Sequence, residues 1–169
     1  WRGGYQADHP RLLAVSKRHS VEAIREALGY DLSHFGENYL TELEQKRAAL
    51  SDPLASLPEV PLTPTWHYIG ALQTNKARRI GSQASWVHSA SRLSELKKLA
   101  EGSREASEQL GLPRHANPLR VLLQVNLSGE ESKGGLKADE LPKLLREARE
   151  LPGLSVEGLM TFPPLEDAE

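Results

Sequence analysis

Short apolar runs recur along this chain, each ending in a polar residue and each giving way to a segment of helical periodicity. Leu12-Leu13-Ala14-Val15 ends in Ser16-Lys17, and His34-Phe35-Gly36 is a shorter second run. Trp66-His67-Tyr68-Ile69, Ser85-Trp86-Val87, Leu119 to Val125 and Ser155 to Met160 follow. Strands separated by helices pair in parallel, and the near-continuous apolar run from Leu119 suits a strand covered on both faces. An α/β fold with six strands and five helices is therefore expected.

The intervening segments carry helix signals. Ser20 stands at an N-cap position before Val21, Ile24 and Leu28, with Gly29 as the expected stop. From Glu37 a helix is expected to turn Tyr39, Leu40, Leu43 and Leu50 towards the core. Further helices are predicted around Asn75 to Ile80 and from Ser91, where Leu93, Leu96, Leu99 and Ala100 share a face. The clearest stripe is Leu141, Leu144, Leu145, Ala148 and Leu151, within a helix predicted over Ala138 to Leu151 and ended by Pro152-Gly153. Ser51 to Pro64 holds four prolines and reads as a loop.

Composition removes several function classes. The chain has 169 residues, 38% of them hydrophobic and 26% charged, which suits one folded domain over 1–169. A net charge of −2 gives no electrostatic case for nucleic acid or an anionic membrane as partner. No apolar stretch approaches the roughly 20 residues of a membrane span, and Trp1 to Tyr5 does not open a signal peptide. The absence of cysteine removes disulfides and thiol chemistry, and the scattered histidines argue against a metal site. A cytoplasmic monomer is expected. Because the chain starts at Trp1 and stops soon after an apolar run, the domain is expected to be incomplete at both ends.

The strand ends are the candidate site. They offer Lys17, Asn38, His67, Ser89, Asn126 and Thr161, one or more per strand. A doubly wound sheet concentrates its ligand at one crossover, whereas a (β/α)₈ barrel spreads functional residues over many strand ends, so a barrel is favoured. A closed barrel typically takes about 250 residues. Lys17 is the residue of most chemical interest, since a lysine in a barrel mouth can hold an aldehyde cofactor as a Schiff base. Its amine must be neutral to attack, and burial would favour that form. The plainer reading is a solvated strand-end lysine. Asn38 reads equally as a helix cap, His67 as a hydrogen-bonded core residue and Met160 as the end of a core strand. Lys76, Arg78 and Arg79 form either a solvated basic face or an anion site at a helix N-terminus. Gly129 to Gly135 reads as a loop over the mouth, or a plain surface loop.

These strand ends carry a family resemblance. The pieces occur in order: Ala14-Val15-Ser16-Lys17, Phe35-Gly36-Glu37-Asn38-Tyr39, Trp66-His67-Tyr68-Ile69-Gly70, Leu72-Gln73-Thr74-Asn75-Lys76 and Val87-His88-Ser89. Gln124-Val125-Asn126, Gly129-Glu130-Glu131-Ser132-Lys133 and Gly158-Leu159-Met160-Thr161 complete the set. Together they resemble the pyridoxal phosphate homeostasis protein family, with its TIM-type barrel of the alanine racemase N-terminal kind. The resemblance implies about six of eight barrel strands, with the C-terminal part absent. It implies that Lys17 forms a Schiff base with pyridoxal 5′-phosphate and that Asn38, His67, Ser89, Asn126 and Met160 line the pocket. It also implies a role in intracellular cofactor homeostasis without robust turnover, with apoenzymes as recipients.

Two positions depart from the family pattern: Ala71 where a histidine is usual, and Ser20 where a proline is. The family's phosphate-holding segments have no counterpart after Thr161, so weak cofactor binding and a tendency to aggregate are expected. An active racemase-like enzyme on the same barrel is the main alternative; it would need a second acid/base, which no tyrosine here obviously supplies. A barrel binding another phosphorylated metabolite, with Lys17 as a simple charge, is the third.

Overall fold

The computed structural model describes residues 12–51, 63–112, 118–127, 129–130 and 133–162. The expectations for 1–11, most of the proline-rich stretch 51–64, and parts of the 129–135 loop lie outside the described residues.

Six strands form one parallel sheet in chain order: β1 (Ala14–Val15), β2 (His34–Glu37), β3 (Thr65–Tyr68), β4 (Trp86–Ala90), β5 (Leu119–Gln124) and β6 (Leu154–Met160). Five helices lie between successive strands: α1 (Val21–Gly29), α2 (Leu40–Ser51), α3 (Thr74–Gln83), α4 (Leu93–Gln109) and α5 (Leu141–Arg149). This is the α/β architecture expected from the alternation. Strand order equals chain order, as in a barrel, but the sheet is not closed: among the described residues β1 and β6 are its edges.

Register separates the two faces. Phe35 pairs with Trp66, and Tyr68, Val87, Val121 and Val156 form another row. Phe35, Trp66, Tyr68, Val87 and Val121 are buried in the main core, together with Ile80 of α3 and Leu96 and Leu99 of α4. The row between them runs Val15, Gly36, His67, Trp86 and Arg120. Because side chains alternate along a strand, that row occupies the opposite, concave face. There Val15 is 47% exposed, an apolar side chain left uncovered by the described residues.

Several boundaries differ from the sequence expectation for local reasons. Ser20 does cap α1, its Oγ accepting from Ala23 N–H at 3.3 Å. Asp31, not Gly29, takes the left-handed conformation that turns the chain, at φ 63°, a region aspartate tolerates. Helix α2 begins at Leu40, so Tyr39 stays outside it and is 49% exposed rather than in the core. Strand β4 continues to Ala90, and α5 starts at Leu141 because Ala138 to Glu140 form turns.

Helices α3 and α4 pack unusually closely. A Cβ on Gly81 would lie 2.2 Å from Leu99 O, and one on Gly102 would lie 1.8 Å from Arg78 O. Each glycine thus lets the other helix's backbone approach where no side chain fits. The variant Gly102→Ala is expected to lose at least ~1–3 kcal/mol of stability through overpacking. Urea denaturation of the two chains measures this, and an unchanged midpoint would contradict the packing described.

Candidate functional site at the strand-end rim

Parallel pairing brings every strand C-terminus to one rim. At β1 the rim is a tight turn over Ser16 to His19, closed by His19 N–H donating to Ser16 O at 3.0 Å. Arg18 is third in the turn and has φ 63°, a conformation that favours glycine and costs an arginine roughly 1–2 kcal/mol. Lys17 lies between Ser16 and Arg18 and is exposed. The desolvation expected for its amine is therefore not supplied by the described residues, because the concave face beside β1 is open.

What does hold this turn is a buried ionic network absent from the sequence reading. Lys46, from the second turn of α2, donates to Ser16 O, Glu37 Oε1 and Glu42 Oε2, each at 2.8 Å. Ser16 Oγ donates to Glu37 Oε1 at 2.7 Å, and Arg18 N–H donates to Glu42 Oε2 at 2.8 Å. Glu37 is fully buried and Lys46 nearly so. Burial works against the Lys46 ammonium, but its bonds to Glu37 and Glu42 outweigh that and raise its pKa. The Lys46 ammonium and the Arg18 amide together hold the Glu42 carboxyl below its usual value. The signals were present in sequence: Glu42 and Lys46 are four apart on one helix, and Glu37 ends an apolar strand.

The other candidate residues sit in varied settings. Asn38 lies in the β2–α2 connection and, with Tyr39, Tyr68, Gly70 and Lys76, lines a cavity of about 430 Å³. Ser89 is buried and its Oγ donates to Gly70 O at 2.6 Å. Asn126 organises the loop after β5: its Nδ2 donates to Glu130 O at 2.8 Å and its Oδ1 accepts from Gly129 N–H at 3.0 Å. Met160 ends β6 half-buried, and its carbonyl accepts from Val125 N–H. Thr161 is exposed beyond it. Arg78 pairs with Glu105 and Arg79 with Glu44, both at the surface, which matches the solvated-face reading rather than an anion site.

His67 is not at the rim but in the middle of the concave row. Three of the six histidines that looked scattered meet there: His34 Nδ1 lies 2.9 Å from His67 Nε2, and His67 Nδ1 lies 2.9 Å from His88 Nε2. Trp86 stacks on His67 with ring centroids 5.6 Å apart, and Arg120 lies over Trp86 at 5.3 Å. Burial, with His88 and His34 alongside, pushes the His67 imidazole down to about 3. Burial also lowers His88. A neutral imidazole carries one N–H and one lone pair, which suits a position between two ring nitrogens. His67 thus anchors three strands.

The fold and rim define a barrel-type α/β scaffold whose variable chemistry is gathered at the strand C-termini. Residues 5–169 match the family described as alanine racemase, N-terminal domain, and the chain belongs to that family. It is 44% identical over 152 residues to the pyridoxal phosphate homeostasis protein of Pseudomonas aeruginosa, covering 90% of this chain and 58% of that one. Against the protein of the same name from Escherichia coli K12 it is 36% identical over 163 residues, covering 96% and 63%. The chain thus spans about three-fifths of the length of these relatives. Among solved structures, PipY of Synechococcus elongatus with pyridoxal phosphate bound superposes with a TM-score of 0.71 at 34% identity, over 95% of this chain and 66% of that one. Alanine racemase of Clostridium difficile superposes at 0.63 over 91% and 36%, with 14% identity, a likeness of fold alone.

The histidine cluster makes stability depend on pH. The unfolded chain protonates His67 near its ordinary value of about 6.5, whereas the folded chain does so near 3. The contribution is full above about 6.5 and is lost as pH falls through that window, by up to ~1.4 kcal/mol per pH unit for one proton. Denaturant titrations between pH 7 and about 5 are expected to show falling stability, with a shallower slope for His67→Gln. Equal slopes for the two chains would contradict the description.

Proposed function

We propose that this chain binds pyridoxal 5′-phosphate through a Schiff base on Lys17 and serves intracellular cofactor homeostasis rather than sustained catalysis. The observation that carries the reading is the turn around Lys17. It presents a primary amine at the barrel rim, and it is held in a strained conformation by the network of Glu37, Glu42 and Lys46. Strain of this kind clusters at functional sites. The relatives named for pyridoxal phosphate homeostasis, and PipY with that cofactor bound, support the choice of ligand.

The residues present fit the aldehyde end of such a cofactor. The Lys17 side chain makes no hydrogen bond or ion pair among the described residues, so its nitrogen is available. Lys17 would hold the aldehyde through that nitrogen, with one water released, and the cofactor would supply an electron-withdrawing ring. The open concave face, with Val15 exposed, offers apolar surface beside it. Asn38, Ser89, Asn126 and Met160 are pocket-lining residues in this reading, and His67 supports the wall behind them.

Binding is favoured over racemisation by the tyrosines. The Tyr68 hydroxyl donates to Ala71 O at 3.3 Å, and Tyr39 is turned to the surface, so neither is poised as a second acid/base. Among the described residues no helix is long and apolar enough to cross a membrane. The reading places the protein in the cytoplasm as a monomer that passes cofactor to apoenzymes.

Incubation with pyridoxal phosphate is expected to give a near-visible imine band, and borohydride reduction to fix the label on Lys17. Lys17→Ala removes both. Labelling that is indifferent to Lys17 would overturn the assignment and favour a ligand without an aldehyde. Sustained racemisation of L-alanine would overturn the non-catalytic part.

A further inference from the structure

We infer that Glu37, Glu42 and Lys46 are positioning residues for Lys17: their buried ionic network fixes the backbone on both sides of that lysine, and so aims its amine. The inference rests on the reading of Lys17 as the cofactor anchor, and deepens it.

Little else among the described residues holds this segment. Strand β1 is two residues long and lies at the sheet edge, paired only through Ala14 to Phe35 and Val15 to Gly36. Ser16 N–H adds one more ladder bond, to Gly36 O at 3.0 Å. Beyond it the chain must reverse through Arg18 in a conformation that arginine disfavours. Side chains of β2 and α2 supply the missing constraint. On the N-terminal side of Lys17, Ser16 is gripped at two atoms: its carbonyl accepts from Lys46 and its hydroxyl donates to Glu37. On the C-terminal side, the Arg18 N–H is taken by Glu42. One ammonium joins the two grips, since Lys46 also donates to both carboxylates.

Stability alone is a poor account of this arrangement. Burying an ammonium and a carboxylate costs about as much as their attraction returns, and an apolar pair of similar volume would serve packing as well. The bonds instead converge on the two residues that flank Lys17. By strand alternation Ser16 faces the helix layer, where Glu37 and Lys46 lie, opposite to the concave row that begins with Val15. Glu37 Oε2 is buried with no hydrogen-bond partner among the described residues, so the charge on Lys46 is the main compensation for that carboxylate. Removing it would loosen both grips together.

The test is the selectivity of labelling in the full 169-residue chain. Pyridoxal phosphate is added, borohydride quenches at set times, and peptide mass mapping gives the rate at Lys17 and the share of label on other lysines. Glu42→Gln keeps the shape of the side chain but weakens its hold on Arg18 and Lys46. Lys46→Met removes the bridge, and Lys46→Arg restores a charged donor. Glu42→Gln and Lys46→Met are each expected to slow labelling of Lys17 about tenfold and spread label to other lysines, as misaimed reacting groups do. Amide exchange at Arg18 rises in both, and Lys46→Arg recovers part of the selectivity. Glu42 is partly exposed, so its variant keeps the fold and its unfolding midpoint even if Lys46→Met does not. Labelling of Lys17 in Glu42→Gln as fast and as selective as in the unsubstituted chain would overturn the inference. Absence of preferential Lys17 labelling in the unsubstituted chain would instead overturn the functional reading beneath it.

Discussion

Parallel pairing is the constraint on which this molecule depends. A parallel ladder cannot be closed by a hairpin, so each strand must return through a helix on one side of the sheet. Two consequences follow directly. The helix-facing side becomes a continuous apolar core, with Phe35, Trp66, Val87, Val121 and Leu123 all buried against the helices. Every strand also points the same way, so Lys17, Asn38, Asn126 and Met160 all follow or close strands at one rim. Residues far apart in the chain are gathered without any dedicated loop architecture.

The concave side follows a different logic. It is polar in its middle row, where His67 stands between His34 and His88 and against Trp86. Such a row is tolerable only because each ring nitrogen facing a neighbour finds a partner there; a buried imidazole without one would be costly. At the rim, on the helix-facing side, ionic bonds take over from strand pairing. Where β1 is too short to fix its own end, Lys46 and Glu42 reach across from α2 to do so. Packing thus sets the positions of the strands, and directed polar contacts set the aim of what lies at their ends.

Legibility in the sequence followed the range of the interactions. Strands and helices were readable because local periodicity reports burial, and the α5 stripe of Leu141, Leu144 and Ala148 is an instance. Ser20 was readable as a cap because its partner, Ala23, is three residues away. Tyr39 misled because helical spacing does not say where the first turn begins. The histidine contacts span 33 and 21 residues, and the bond from Lys46 to Ser16 spans 30. No periodicity within one segment records such partners. Lys17 was legible as a strand-end residue, but its exposure depends on what covers the concave face, a property of the whole sheet.

The sequence by itself determined the order and type of the elements and the parallel pairing that their alternation compels. These are consequences of local periodicity, in which each residue's surroundings are set by near neighbours. Only the tertiary structure decided that three histidines from neighbouring strands meet on one face, and that Lys46 binds the turn carrying Lys17. Those outcomes depend on register between strands, because a shift of one residue sends every side chain to the opposite face.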